Sequence, residues 1–273
     1  MRALLTIAQG LAIGYVTLCA WLFLTQRSQI YFPVPETALP GVQSIRLPSG
    51  DALLKLWVVK RPGPRALLYF GGNAEDVSAS LPSFVSAFPD HSLYLVNYRG
   101  YGGSTGKPSE SALFADAAVT YDHVRGAHSA ISVMGRSLGS GVAVRLASQR
   151  EIRQLVLVTP YDSLVNVARD HYPVFPVTLL MRDRYDAAIL APEIRAPVLA
   201  VVAGDDEIIP RARSQALIDA FPPAQVQLKV VEGATHNTLD LFPDYLRSVG
   251  QFLAVRRSAQ LQERWACDHE QPG

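Results

Sequence analysis

Charge and sulfur are scarce in this sequence. Asp, Glu, Lys and Arg make up 18% of its 273 residues, and the formal net charge is +1; an average soluble domain carries ~25% charged residues. With so little excess of either sign, neither a basic footprint nor an acidic tail is indicated, and no nucleic-acid partner is expected. There are only two cysteines. Cys19 falls in an apolar N-terminal stretch and Cys267 in a polar tail, so they are poorly placed to share a disulfide. No C-x-x-C or H-E-x-x-H spacing occurs, so neither a metal nor another cofactor is signalled. Internal repeats and low-complexity tracts are absent too. What the chain has in quantity is apolar residue, 49% of the total, enough for a sizeable core in one or two domains.

The longest apolar run is ALLTIAQGLAIGYVTLCAWLFL, residues 3 to 24, without a formal charge. About 20 such residues suffice to cross the hydrocarbon core of a bilayer as a helix. A cleaved signal peptide fits less well, because its apolar region is shorter and ends in a small-x-small site that is not evident here. Residues 1–27 are therefore expected to be a membrane anchor. Arg2 before the run and Arg27 after it leave the side of the membrane nearly undetermined, with a mild bias toward a cytoplasmic N-terminus.

Beyond a proline-punctuated connector, strand-length apolar runs alternate with helical patterns. Eight candidate strands are read at 42–48, 52–59, 66–70, 93–98, 130–134, 155–159, 198–204 and 226–233. Ser49-Gly50-Asp51 joins the first two as a hairpin. The last six are short and continuously apolar, as expected where both sheet faces are covered. Helices are expected over 110–126, 138–149, 210–221 and 239–255. This alternation predicts an α/β fold: a mostly parallel eight-stranded sheet with helices on both faces. In such sheets reactive groups gather at the carboxyl ends of the strands.

Three of those ends carry the residues of one chemistry. GRSLGSG, residues 135 to 141, follows the fifth strand and opens a helix. In G-x-S-x-G the serine sits on a sharp strand-to-helix turn, and the small flanking residues, Gly135 and Gly139, relieve the crowding around Ser137. A serine hydroxyl is a weak nucleophile and needs a base, which in turn needs an orienting carboxylate. GDDEIIP follows the seventh strand with Asp205 and Asp206, and EGATHN follows the eighth with His236. Asp162, after the sixth strand, reads better as a helix N-cap. The order Ser, Asp, His is that of the α/β-hydrolase triad. An oxyanion hole would draw one backbone N–H from Leu138, directly after the serine, and another from Asn73 in YFGGNAED, the loop after the third strand. His91, His123, His128 and His171 are read as lying away from these ends, and His269 in the tail.

Taken together, YFGGNAED, NYRGYGGSTGKPSE, GRSLGSG, TPYDSL, PVLAVVAGDDEIIP and EGATHN resemble the α/β-hydrolase superfamily. Within it they are similar to the membrane-anchored branch called Bem46-like or ABHD13/ABHD17-like. The resemblance spans about residues 30 to 255. It implies Ser137 as nucleophile, Asp206 rather than Asp205 as acid, His236 as base, and Asn73 and Leu138 as the oxyanion hole. Two departures stand out. Gly71 occupies the place where the family usually has histidine, and Glu75 and Asp76 replace smaller or neutral residues, which is expected to change the charge near the pocket mouth. Arg99, in the loop after the fourth strand, reads as a structural salt bridge.

The implied organisation is an anchor at 1–27, a hydrolase domain at 28–256 with a small lid at about 161–197, and a mobile tail at 257–273. Two short helices are expected in the lid, SLVNVARDHY and PVTLLMRDRY. A small lid suggests an open site. PVFPVTLLM could line an acyl groove, face the bilayer or belong to the core. The expected activity is hydrolysis of a carboxylic ester or thioester of a small-molecule or lipid-like acyl substrate. The alternatives are a serine peptidase on the same fold and an inactive membrane-tethered binding protein.

Overall fold

The computed structural model describes residues 1–255; the tail expected at 257–273 lies outside them. The strands are β1 (Gln43–Ser49), β2 (Ala52–Val59), β3 (Arg65–Phe70), β4 (Ser92–Val96), β5 (Ala130–Arg136), β6 (Leu155–Val158), β7 (Val198–Ala203) and β8 (Val226–Val231). The helices are α1 (Arg2–Ile30), α2 (Leu81–Ala87), α3 (Glu110–Arg125), α4 (Leu138–Gln149), α5 (Leu164–His171), α6 (Val177–Leu180), α7 (Ala187–Leu190), α8 (Arg211–Ala220) and α9 (Pro243–Ala254).

All eight strands form one sheet in the order β1-β2-β4-β3-β5-β6-β7-β8. β2 runs antiparallel to both its neighbours, and the pairs from β4 through β8 are parallel. The pleat divides the core in two. On β3, Ala66, Leu68 and Phe70 face one layer with Leu113 of α3, Val142 of α4 and Leu217 of α8. Leu67 and Tyr69 face the other layer, with Phe84 of α2 and Val249 and Phe252 of α9. Each aliphatic side chain so buried contributes roughly 1.5–3 kcal/mol over its exposed state, and coverage of both faces is why the central strands read as unbroken apolar runs.

Three sequence expectations are corrected. β8 is not covered on both faces: it is an edge strand, with Gln227 and Leu228 exposed. α2 went unread because its seven residues are too few to establish a helical period. The second lid helix, expected through residue 185, is a single turn, Val177–Leu180. Beyond it the chain is pulled out of helix by neighbours: Arg182 N donates to Gln26 Oε1 at 2.7 Å, and Arg184 N and Tyr185 N donate to the Glu110 carboxylate at 2.6 and 2.9 Å. Burial pushes the Glu110 pKa up against the pull of those two N–H groups.

α1 is continuous to Ile30 and is long and apolar enough to cross a membrane. It is a single N-terminal helix consistent with a single-pass anchor. Its C-terminal end is tied to the body built around the sheet. Arg27 makes two 3.1 Å hydrogen bonds to the buried Asp183 carboxylate, and Tyr31 donates to the same group at 2.9 Å.

Candidate active site

Ser137 is the one residue between β5 and α4, and its backbone takes φ 50°, ψ −117°. An L-residue adopts this conformation only where its surroundings impose it. They do so here because strand and helix meet with no room for side chains. A Cβ on Gly135 would lie 2.2 Å from the Gly139 carbonyl oxygen, and one on Gly139 would lie 2.1 Å from that of Phe70. The Ser137 amide is used by the sheet, donating to Val158 O at 2.8 Å. The side chain is left projecting above the carboxyl ends of β3 and β5.

His236, from the loop after β8, places Nε2 2.9 Å from Ser137 Oγ. Its Nδ1 lies 2.9 and 3.0 Å from the two carboxylate oxygens of Asp206, from the loop after β7. An ionised carboxylate only accepts, so Nδ1 carries the hydrogen and Nε2 is free to accept from the serine hydroxyl. The His236 and Asp206 side chains are 7% and 4% exposed, which shields the relay from water. Asp206 Oδ1 also accepts from the N–H groups of Ile208 and Ile209 at 3.0 and 2.7 Å, fixing the carboxylate. Asp205 instead uses its own N–H to hold Ala234 O at 2.9 Å.

Leu138 opens α4, so its N–H has no place in the intrahelical ladder. Asn73 and Leu138 line the same cavity as Ser137. The Asn73 side chain ties its loop to the end of α1 and to Tyr101. Its Oδ1 accepts from Phe32 N, Ala74 N and Tyr101 Oη, and its Nδ2 donates to Ile30 O. Tyr98 braces this loop by donating to Gly71 O at 2.7 Å; burial holds its pKa well up, so it remains a donor. Neither Glu75 nor Asp76 is among the described residues that line the cavity. Glu75 accepts from Gly72 N at 2.6 Å and Tyr69 Oη at 2.7 Å, and Asp76 accepts from Ser78 and Thr37. Both carboxylates hold their own loop in shape.

The cavity over Ser137 encloses about 440 Å³ and is mostly apolar. One wall is α5 with the segment that follows it; another is the C-terminal part of α1. The open site suggested by a small lid is thus closed on one side by the helix expected only to anchor.

Comparison with known proteins agrees with this geometry. The uncharacterised protein Rv2307c of Mycobacterium tuberculosis is 36% identical over 232 residues, covering 79% of this chain and 82% of that one. The alpha/beta hydrolase domain-containing protein 17C of Xenopus laevis is 29% identical over 242 residues, covering 85% and 76%. The family model described as serine aminopeptidase, S33, matches residues 177–240. Among solved structures, the Pyrococcus furiosus esterase Pf2001 superposes with a TM-score of 0.67 at 18% identity, over 82% of this chain and 97% of that one. The chain belongs to the α/β-hydrolase superfamily. Its Ser137, His236 and Asp206 have the geometry of a serine hydrolase triad suited to ester-type substrates.

Several residues of this hydrolase act differently from their sequence reading, or were not read at all. Asp162 does not cap α5; Ser163 does, accepting from Asn166 N at 3.1 Å, while Asp162 pairs with Arg213 at 3.2 Å. His171 ends α5 at the cavity, 2.8 Å from Ile208 O, rather than away from the strand ends. His91 and His128 are buried elsewhere. Arg99 forms the structural salt bridge expected, holding Asp116 through two hydrogen bonds of 2.7 and 2.8 Å. Arg136 was missed. Buried beside the triad, it donates to His236 O at 3.2 Å and to Asp240 at 2.6 Å, so it carries the histidine loop. Glu207 adds a second support, accepting from His236 N at 3.3 Å. Neither could be found from letters alone, since their partners are brought near only by folding.

Proposed function

We propose that this hydrolase is a membrane-anchored esterase or thioesterase that transfers the acyl group of a lipid-like substrate to water. Ser137 is the nucleophile, His236 the general base and Asp206 the group that orients the imidazole. The N–H groups of Asn73 and Leu138 receive the oxyanion. The observation that carries this reading is the unbroken Ser137–His236–Asp206 relay opening into a mostly apolar cavity. As Oγ bonds to the substrate carbonyl carbon, His236 Nε2 takes its proton. The same proton then goes to the departing alcohol or thiol, leaving an acyl-serine. Water attacks the acyl-serine by the same route and regenerates the hydroxyl.

Replacing Ser137 with Ala should abolish hydrolysis of a p-nitrophenyl ester and labelling by a fluorophosphonate, a loss of at least a thousandfold in kcat. Undiminished turnover would end the assignment. The aminopeptidase family match over residues 177–240 favours a second reading, amide cleavage next to a free α-amine. Such a substrate brings a cationic group that wants a carboxylate, and no Asp or Glu is among the described residues that line the cavity. Aminoacyl p-nitroanilides assayed beside acyl esters separate the two.

A further inference from the structure

α1 contributes to the cavity as well as to anchoring. Leu18, Leu22, Phe23, Gln26, Gln29 and Ile30 line the same space as Ser137, and their spacing places them on one side of the helix. Opposite them stand Val167, Tyr172, Phe175 and Leu180. The two walls are fastened along their length. Tyr15 donates to Val174 O at 2.7 Å and stacks on Phe175, with ring centroids 6.1 Å apart. Gln26 donates to Leu180 O at 3.1 Å, and the Arg182 guanidinium sits 4.1 Å over the Phe23 ring. These contacts run from Tyr15 to Gln26, roughly 16 Å of helix at about 1.5 Å per residue.

The depth of that contact matters. The apolar run of α1 ends at Leu24, so its last turns, including Tyr15 to Leu24, lie in the half of a bilayer nearer the hydrolase body. Whatever is fastened to them lies there too. Residues 172–181 read YPVFPVTLLM and carry no charge. Their outer side chains are exposed in the structure, Tyr172 at 60%, Val174 at 70% and Leu179 at 83%, as are Trp21 and Leu24 of α1. In water so many exposed apolar side chains would be a liability. In a leaflet they are matched. Much of the segment's backbone is met internally, as immersion requires of N–H groups. Phe175, Val177, Leu179, Leu180 and Met181 donate within the segment, while prolines at 173 and 176 have no N–H.

We propose that residues 172–181 are embedded in the near leaflet against α1, and that the bilayer-facing part of α1 forms one wall of the substrate site. A substrate chain then reaches Ser137 sideways from the hydrocarbon, between α1 and Phe175, without crossing water. This rests on the esterase reading above for what happens at Ser137, but the position of the segment can be tested separately.

The full chain, with Cys19 and Cys267 replaced by Ser, is reconstituted into phosphatidylcholine vesicles with a single labelling cysteine. Leu179→Cys carries an environment-sensitive nitrobenzoxadiazole probe, and Ile189→Cys, an exposed apolar position outside the segment, is the control. The probe at 179 should emit to the blue of the control, be quenched by doxyl-labelled lipid and resist aqueous iodide. Iodide quenching at 179 equal to that at 189 overturns the proposal. The second measurement is chain-length selectivity. In Leu22→Trp the ratio of kcat/KM for a dodecanoyl ester to that for an acetyl ester should fall at least tenfold. An unchanged ratio overturns the role of α1. Fluorophosphonate labelling of the parent chain reports on Ser137 independently: unlabelled protein defeats the esterase reading, whereas labelled protein with an aqueous probe at 179 defeats only this one.

Discussion

Ser137 holds a backbone conformation that glycine would take with no steric penalty. That makes strain and activity separable by two substitutions at one position. In Ser137→Ala the Cβ and its crowding remain, so stability should change by less than about 0.5 kcal/mol. In Ser137→Gly the strain of roughly 1–3 kcal/mol is relieved, less about 0.5–1 kcal/mol for the greater freedom of glycine in the unfolded chain. The glycine variant should therefore be inactive and more stable by about 1 kcal/mol, read from denaturant midpoints in detergent. A glycine variant no more stable than the alanine one would show that the turn is not strained. The residues that meet in this relay were legible because each follows a strand in the sequence. The choice between Asp205 and Asp206 was not, since neighbours on a turn differ only in which way they face. The supporting Arg136 and Glu207 left no signal, because the groups they touch are far away in the chain.

At the scale of elements, the parallel strands were readable because burial on both faces makes them unbroken apolar runs. The same logic misjudged β8, whose apolar letters sit on an outer edge. α1 was legible as a span but not as a wall: hydropathy reports how far a helix prefers lipid, not what leans on it. Its attachment centres on Asp183, a buried carboxylate that takes hydrogen bonds from Arg27 and Tyr31. Asp183→Ala leaves both donors without that acceptor. Because the Arg27 side chain is 49% exposed, water recovers part of the loss, and the expected destabilisation is about 1–2 kcal/mol rather than the 3–5 kcal/mol of a fully buried pair. The effect should be local. Limited proteolysis in detergent should cut between residues 172 and 185 faster than in the parent, while the sheet keeps its protection. Unchanged cleavage there would place the attachment elsewhere.

The whole molecule is two core layers around one sheet, and one of its pH responses is set far from the triad. His91 is buried where the chain passes from α2 into β4, and its Nε2 finds no partner among the described residues. Burial, reinforced by the nearby Arg65 and Arg153 and opposed by Asp90, lowers its pKa from 6.5 to about 4. His128 is shifted in the same direction, first by burial. A lowered histidine pKa favours the neutral form in the folded state. As pH falls through 6.5 the unfolded chain takes up the proton and the folded chain does not, so stability present above pH 6.5 drains away toward pH 4. For His91 alone, going from pH 7 to pH 5 should cost about 2 kcal/mol, at 1.36 kcal/mol per pKa unit of difference. The measurement is denaturant unfolding of the detergent-solubilised chain at the two pH values, in the parent and in His91→Gln. The glutamine side chain does not titrate, so the drop between pH 7 and 5 should shrink by about 2 kcal/mol, whatever the variant loses at both. An equal drop in the two proteins would mean that residue 91 takes its proton in the folded state as readily as in the unfolded one, and that acid acts on the fold through other groups.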